Sequence, residues 1–297
     1  MLKKKKTFLV KGIEAYMVDA YYNGEFLKRE NISIPLTDRA VFFGDGVYDA
    51  AIGRNGKIFM LDEHVERIYR SAATLDIPTS ISKDELKALL LRIVDLSEIH
   101  DSDFFIYFQF SRYSESRIHA YPGVNNSNLL ITVNPISIPP QDKRLRLISY
   151  PDIRYELCNV KTINLIPAVI ASKYAEQRGA DEAVFVRNGI VTECAHSNIH
   201  MIKNGILYTH PQSCRILSGI SRMHLLSVCE RERIEYKEIA FTPDDLKEAD
   251  SVLVTSSSKI VLTAESFDEN YYKDDKNSIS RHILNCMRAD YKAATEF

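Results

Sequence analysis

The sequence predicts an α+β fold built in two parts. Asn-Gly pairs mark β-hairpins in both halves, amphipathic stretches between them mark helices, and a proline-rich stretch separates the halves. Strands and helices mixed within each half argue for α+β rather than a doubly wound parallel sheet.

The hairpin signals are Asn23-Gly24, Asn55-Gly56, Asn188-Gly189 and Asn204-Gly205. Asn-Gly suits the two positive-φ positions of a type I′ turn. Tyr16–Tyr22 and Phe26–Ile32 flank the first pair, and Val47–Ile52 and Lys57–Met60 the second. Glu182–Val186 and Ile190–Thr192 flank the third, and Asn198–Ile202 and Ile206–Thr209 the fourth. The first helix is expected from a cap at Asp62 to about Leu75, with Val65, Ile68, Ala72 and Leu75 on one face. Ser82-Lys83-Asp84-Glu85 is a capping box opening Leu86–Leu96. Leu165–Arg178 reads as a helix with Pro167 in its first turn and Gly179 as its stop. Ser218–Arg233 and Ile279–Tyr291 are further helices, and Phe104–Phe110 and Leu129–Asn134 are apolar strands. Pro135 to Lys143 holds three prolines and a polar tail, which makes it the best linker in the chain. The expected division is therefore 1–135, a linker at 136–143, and 144–297, with a ligand site where the parts meet.

Composition bounds the function. Of the 297 residues, 45% are apolar and 26% charged, as in a globular protein. A net charge of −2 argues against a nucleic-acid binder. No apolar run reaches membrane-spanning length, and Lys3–Lys6 reads as a solvated end. Five scattered cysteines with no CxxC pair point to reduced thiols and a cytoplasmic location.

GxGxxG, Walker, HExxH and GxSxG motifs are absent, so the chemistry has to be read from less familiar stretches. In Cys158-Asn-Val-Lys161-Thr-Ile-Asn164 a lysine sits between Val160 and Ile163. Desolvation there would lower its pKa and make the amine nucleophilic. A packed stem with its ammonium in water is the plainer reading of the local sequence. Glu193 follows a buried-looking strand, and a buried carboxylate needs a partner. A protonated ring nitrogen of a cofactor would serve, and an arginine or a backbone donor is the ordinary alternative. Ser218-Gly-Ile-Ser-Arg222 opens a helix and Thr255-Ser-Ser-Ser258 follows a strand. Hydroxyls and free amides of this kind hold phosphates, and singly they are also common caps.

Together these segments resemble the fold type IV pyridoxal-phosphate-dependent aminotransferases, most closely their D-amino-acid branch. The likeness runs from about Tyr22 to Ala264. It is carried by Asp38-Arg-Ala-Val-Phe-Phe-Gly-Asp-Gly-Val-Tyr48, Glu63-His-Val-Glu-Arg67, Cys158–Asn164, Val191-Thr-Glu193 with Ser197-Asn198, Lys203–Pro211, Ile216-Leu-Ser-Gly-Ile-Ser-Arg222 and Val254-Thr-Ser-Ser257. The resemblance implies a small N-terminal and a larger C-terminal domain with pyridoxal 5′-phosphate in the cleft between them. It makes Lys161 the Schiff-base lysine and proton carrier, and Glu193 the partner of the ring nitrogen. Arg67, Ile220, Ser221 and Ser257 would hold the phosphate, and Leu217 would pack on the ring. Family members are usually homodimers in which a loop of one subunit reaches the other's site.

The same resemblance bears on the substrate. Arg117-x-His119 matches the pair with which the D-specific branch binds the substrate α-carboxylate, and the bidentate fork of arginine suits that role. Tyr107 stands where branched-chain enzymes place an arginine. Val41 departs from the D-specific pattern, which has a carboxylate-binding tyrosine there, so carboxylate binding would be weaker or supplied by another group, such as Tyr48 or Arg154. His196 stands where small hydroxyl residues are usual. The expected reaction is transamination between a D-amino acid, such as D-alanine or D-glutamate, and a 2-oxo acid. The alternatives on this scaffold are a 4-amino-4-deoxychorismate lyase and an L-branched-chain or other amine transaminase; a non-catalytic binding protein is the alternative outside enzymes.

Overall fold

The computed structural model describes residues 18–99, 101–113, 117–121, 126–274 and 278–296. The first sheet is formed by β1 (Ala20–Tyr22), β2 (Glu25–Leu27), β3 (Gly46–Arg54), β4 (Lys57–Ile58), β5 (Phe104–Arg112) and β6 (Ser127–Pro135). Its order is β2-β1-β6-β5-β3-β4, antiparallel throughout. Helices α1 (Arg39–Phe43), α2 (Leu61–Thr74) and α3 (Lys83–Leu96) accompany it.

The second part contains β7 (Arg144–Pro151), α4 (Ile166–Gln177), β8 (Glu182–Arg187), β9 (Ile190–Cys194), β10 (Asn198–Lys203) and β11 (Ile206–Thr209). It continues through α5 (Ile220–Arg231), β12 (Tyr236–Glu238), α6 (Pro243–Lys247), β13 (Ser251–Ser256), β14 (Ile260–Phe267), β15 (Asn270–Tyr271) and α7 (Ile279–Thr295). Its strands run β12-β11-β10-β13-β14-β7-β8-β9, with β15 on β14. Parallel pairing joins β7 to both β8 and β14, and β11 to β12. The architecture is the two-domain α+β arrangement expected.

Local chemistry accounts for most elements. Each Asn-Gly pair joins two antiparallel strands, and each Asn has positive φ, from 46° to 53°. Ser82 and Glu85 form the reciprocal capping box at the start of α3. Pro lies in the first turn of α4, and Gly179 follows its end at φ 69°.

Three local expectations shift. Residue 62 is not the cap of α2: Met60, left-handed at φ 52°, precedes the helix, and Asp62 lies in its first turn, where a carboxylate suits the helix dipole. Strand β2 ends at Leu27, and Arg29–Asn31 form a 3-10 turn, with Arg29 N donating to Asp19 Oδ1 at 2.6 Å. Residues 16 and 17 of the expected first strand lie outside the described residues. Helix α1, unmarked by apolar periodicity, is capped by the Asp38 side chain and ended by left-handed Gly44.

The first sheet buries one cluster with α2 and α3, including Val65, Ile68, Leu86, Leu90, Phe108 and Phe110. A second cluster crosses the two halves: Ile52 and Phe105 pack with Leu225, Val261, Ile283 and Leu284, and Ile136 and Ile138 join it. The proline-rich stretch is thus anchored by its isoleucines. This packing brings β3 beside the segment that carries Lys161.

Candidate active site

Backbone bonds between the two halves hold Lys161. Tyr48 N donates to Lys161 O at 2.9 Å, Ile163 N to Gly46 O at 3.2 Å, and Val47 bridges Thr162. Lys161 N donates to Ser71 Oγ on α2 at 3.3 Å. Val160 packs into the first cluster, and Lys161 beside it lines a pocket of about 770 Å³. That volume suits a cofactor with its substrate. The ammonium lies 4.2 Å from the centre of the Tyr48 ring, within cation–π range, and Tyr48 in turn stacks on Tyr107 at 5.3 Å.

Part of the pocket wall presents donors of a kind that suits an anion. Helix α5 begins there with Gly219 as its cap residue, and no side chain caps its first turn. Its first amides and the helix dipole therefore point at the pocket without a protein acceptor. Gly219 has an ordinary φ of −67°, but a Cβ there would stand 2.0 Å from Asn198 Oδ1. The glycine is required by close approach, not by backbone conformation. Ser221, Ser257 and Arg67 line the same pocket.

Arg67 is held from behind. Its Nε and Nη2 donate to the two oxygens of Asp49 at 2.7 Å each, and Nη1 donates to Ser218 O at 3.2 Å. Asp49 also bonds His64 Nδ1 and the Ala50 amide, each at 2.7 Å. Burial works to raise the Asp49 pKa, but the charges of Arg67 and His64 override it and hold the carboxyl well below its usual range. Burial pushes the His64 pKa down. Sequence reasoning missed Asp49 and His64. The signals were a lone acid in the apolar run Val47–Ile52 and the i,i+3 spacing of His64 and Arg67 on a helix.

The pocket wall also holds Glu193, buried at 5% exposure yet lining the pocket. Its Oε2 accepts from Asn198 Nδ2 and from Leu217 N, both at 3.0 Å, and Oε1 accepts from Arg154 Nη1. The ordinary partners weighed for this acid, an arginine and a backbone donor, are both present. Burial raises the Glu193 pKa, and Arg154 opposes the rise. Arg154 is itself committed: it also bonds both oxygens of Asp152, Thr192 Oγ1 and Arg215 O. It has no fork left for a substrate, which leaves Tyr48 of the two residues suggested for the role of the missing tyrosine.

Leu217 and Ile220 line the pocket with Lys161. His196 lines it too; its Nε2 lies 3.0 Å from Lys259 Nζ, and its Nδ1 3.4 Å from Glu182. Other expected residues do not enter it. Val41 is exposed on α1 at 53%, and the Tyr107 hydroxyl turns to Gln109 at 2.7 Å. Arg117 lies over the rings of Phe42 and Phe43, at 5.7 and 5.3 Å, with His119 against Phe43. Arg39 fixes this loop through the carbonyls of Ile118 and His119. Both Arg117 and His119 are exposed and neither lines the pocket of its own chain. Residues 114–116 and 122–125, on either side of this pair, lie outside the described residues.

One pocket is thus lined by an amine, by the uncapped start of α5 with Arg67, and by a buried carboxylate. Comparison with known proteins agrees with the chemistry this suggests. The profile of the Amino-transferase class IV family matches residues 46–267. The D-alanine aminotransferase of Bacillus licheniformis is 36% identical over 249 residues, covering 83% of this chain and 87% of that protein. Among solved structures, the branched-chain aminotransferase of Thermoproteus uzoniensis with norvaline superposes with a TM-score of 0.87 at 19% identity, covering 94% and 96% of the two chains. The branched-chain amino acid aminotransferase of Escherichia coli gives 0.86 at 18% identity, covering 95% of this chain and 97% of that one. The structural likenesses speak to the fold, while the profile and the sequence relative speak to the family: this chain belongs to the class IV aminotransferases, enzymes that depend on pyridoxal phosphate.

Proposed function

We propose that the protein transfers an amino group between a D-amino acid and a 2-oxo acid, with pyridoxal 5′-phosphate in the pocket around Lys161. The observation that carries the reading is that Lys161, Arg67, the uncapped start of α5 and the buried carboxylate of Glu193 all line one pocket. That donor set fits the cofactor part by part: amides, a guanidinium and hydroxyls for the phosphate, a carboxylate for the ring nitrogen, and an amine for the aldehyde. When bound, the cofactor supplies a carbonyl that condenses with amines and a ring that accepts the electron pair released at the substrate carbon. Lys161 would hold the aldehyde end of the cofactor, and its amine would move the proton at the substrate Cα. Arg67 and the first turn of α5 would hold the phosphate. Glu193 would pair with the ring nitrogen, and Leu217 would pack on the ring.

The D-specific reading is supported by the D-alanine aminotransferase relative and by the Arg117-x-His119 pair. Since that pair lies outside its own pocket, we propose that it completes the site of a second copy in a homodimer. An apolar surface supports the pairing: Ile153, Tyr155, Leu157, Leu165, Ile166 and Val169 are all exposed, by 41–66%. The same reading takes 1–135 and 144–297 as the two domains, joined through 136–143, since the first sheet ends at Pro135 and the second begins at Arg144. No helix among the described residues is long and apolar enough to cross a membrane, and all five cysteines are free, which supports a reducing, cytoplasmic setting.

Purified protein with pyridoxal phosphate, 2-oxoglutarate and either isomer of alanine tests the substrate. Pyruvate from D-alanine is expected; pyruvate from L-alanine alone overturns the stereochemical reading. Pyruvate released from aminodeoxychorismate without an amino acceptor would favour the lyase instead. Mixing Arg117→Ala with Lys161→Ala tests the shared site. A mixed dimer carries one complete site if Arg117 serves its partner, so activity returns; if Arg117 serves its own chain, it does not.

A further inference from the structure

At the end of α5 opposite the pocket lies a cluster that the transamination chemistry does not use. Glu232 is the C-cap residue of α5 and faces α7. On α7, His282 and Cys286 are four residues apart and so share one face of the helix. His282 Nε2 lies 3.0 Å from Glu232 Oε2, and Cys286 Sγ lies 3.8 Å from the same nitrogen. The three ligating atoms all fall within 4.8 Å of one another.

We propose that Glu232, His282 and Cys286 bind one zinc ion, with water in the fourth position. The ligand set is the first argument: imidazole, thiolate and carboxylate together suit zinc and are poor ligands for magnesium or calcium. The spacing is the second. Ordinary zinc bond lengths at a tetrahedral angle place nitrogen and oxygen ligands about 3.3 Å apart, and nitrogen and sulfur about 3.6 Å apart. The observed 3.0 and 3.8 Å each lie within about 0.3 Å of those separations. The third pair, Glu232 oxygen and Cys286 sulfur, lies within 4.8 Å, so closing on one ion asks the side chains to move together.

The neighbouring charges set the limits of affinity. Arg231 donates Nε to Glu232 Oε1 at 3.1 Å and Nη1 to Asp290 Oδ2 at 3.0 Å, and it also reaches the Cys286 thiol. Its bond to Glu232 uses the oxygen that turns away from His282, leaving Oε2 for the ion. Its charge nevertheless opposes a cation, and its half-exposed side chain can swing aside. On binding, Cys286 releases its thiol proton to solvent and coordinates as thiolate. The ion would tie the end of the helix whose first turn lines the pocket to the C-terminal helix. Only the folded protein presents the three ligands together, so binding stabilises it by mass action.

The test uses holoenzyme titrated with zinc chloride, and separately with cobalt(II), whose visible d–d bands lie beyond the cofactor's absorption. One zinc per chain, a raised Tm, cobalt bands of tetrahedral type and protection of Cys286 from iodoacetamide are expected. Cys286→Ser and His282→Ala should each weaken binding at least about tenfold, since even the outer partners of metal ligands are worth 10–100-fold. Arg231→Gln should strengthen it. Transaminase activity without added metal should be unchanged in all three variants. Zinc affinity unaltered by Cys286→Ser, or cobalt that stays octahedral as in water, overturns the proposal.

Discussion

Replacing Gly219 by alanine separates the packing of the anion cradle from every other variable. The backbone at Gly219, φ −67° and ψ 136°, is open to any residue, so the substitution brings no strain of its own. Alanine even narrows the unfolded ensemble, a gain of about 0.4–1 kcal/mol. Against this stands the added methyl, which would lie 2.0 Å from Asn198 Oδ1. A free amide would swing away at little cost. This one is buried, and its nitrogen is bound to Glu193 Oε2 and to Leu217 O, each at 3.0 Å. Relief of the clash therefore costs about 1.5–3 kcal/mol for the bond to a charged group, together with about 1–3 kcal/mol of overpacking. The net loss is about 1.5–5.5 kcal/mol, or about 3–11 °C in Tm at the low end of the usual scaling for larger domains. The start of α5 and the carboxylate of Glu193 shift together, so cofactor affinity should fall at least about tenfold, the equivalent of 1.4 kcal/mol. Thermal melts of apo- and holoenzyme, and a spectral titration with pyridoxal phosphate, read both effects. A Tm within about 1 °C of wild type with unchanged cofactor affinity would refute the reasoning.

Other substitutions probe the remaining contacts. Arg67→Met removes a charge-assisted hold on the phosphate, worth about 1.5–3 kcal/mol, so cofactor dissociation should rise roughly 10–150-fold; a smaller change than threefold would exclude Arg67 from the cradle. Arg117→Ala should raise KM for amino donors about tenfold or more while leaving the cofactor spectrum untouched, which steady-state kinetics beside an absorption spectrum would show. His200, buried between Thr209 Oγ1 and Thr255 Oγ1, has its pKa lowered by burial, and further by Arg222, from its ordinary 6.5 to about 3. It stays neutral when folded, so its contribution is present above pH 6.5 and lost as pH falls towards 3. Each tenfold difference in proton affinity is about 1.4 kcal/mol, so wild type should lose several kcal/mol through that window. Denaturation curves of His200→Gln should be flatter there; parallel curves would contradict the assignment.

Local signals carried much of the fold. Asn-Gly turns, the Ser82–Glu85 box and the Gly179 stop act within a few residues, and each is found where the sequence placed it. Met60 displaced Asp62 as the residue before α2 because the chain leaves β4 through a left-handed turn that no side-chain preference announces. Within the site, Lys161 was legible only through several segments together; its own neighbours, Val160 and Ile163, fit a packed stem equally well. Asp49 and Arg154 were not legible in these roles because their partners are distant in sequence: Asp49 meets Arg67 eighteen residues on, and Arg154 meets Glu193 thirty-nine residues on. Those pairings exist only once the strands and helices have been brought together.

The attachment of the cofactor can be read directly. Holoenzyme is reduced with borohydride, digested, and mapped by mass spectrometry for the pyridoxyl group. The account predicts the label on the peptide spanning Cys158 to Asn164, with its mass on Lys161 and none in Lys161→Ala. A label on another lysine, or an unlabelled protein that still transaminates, would contradict it.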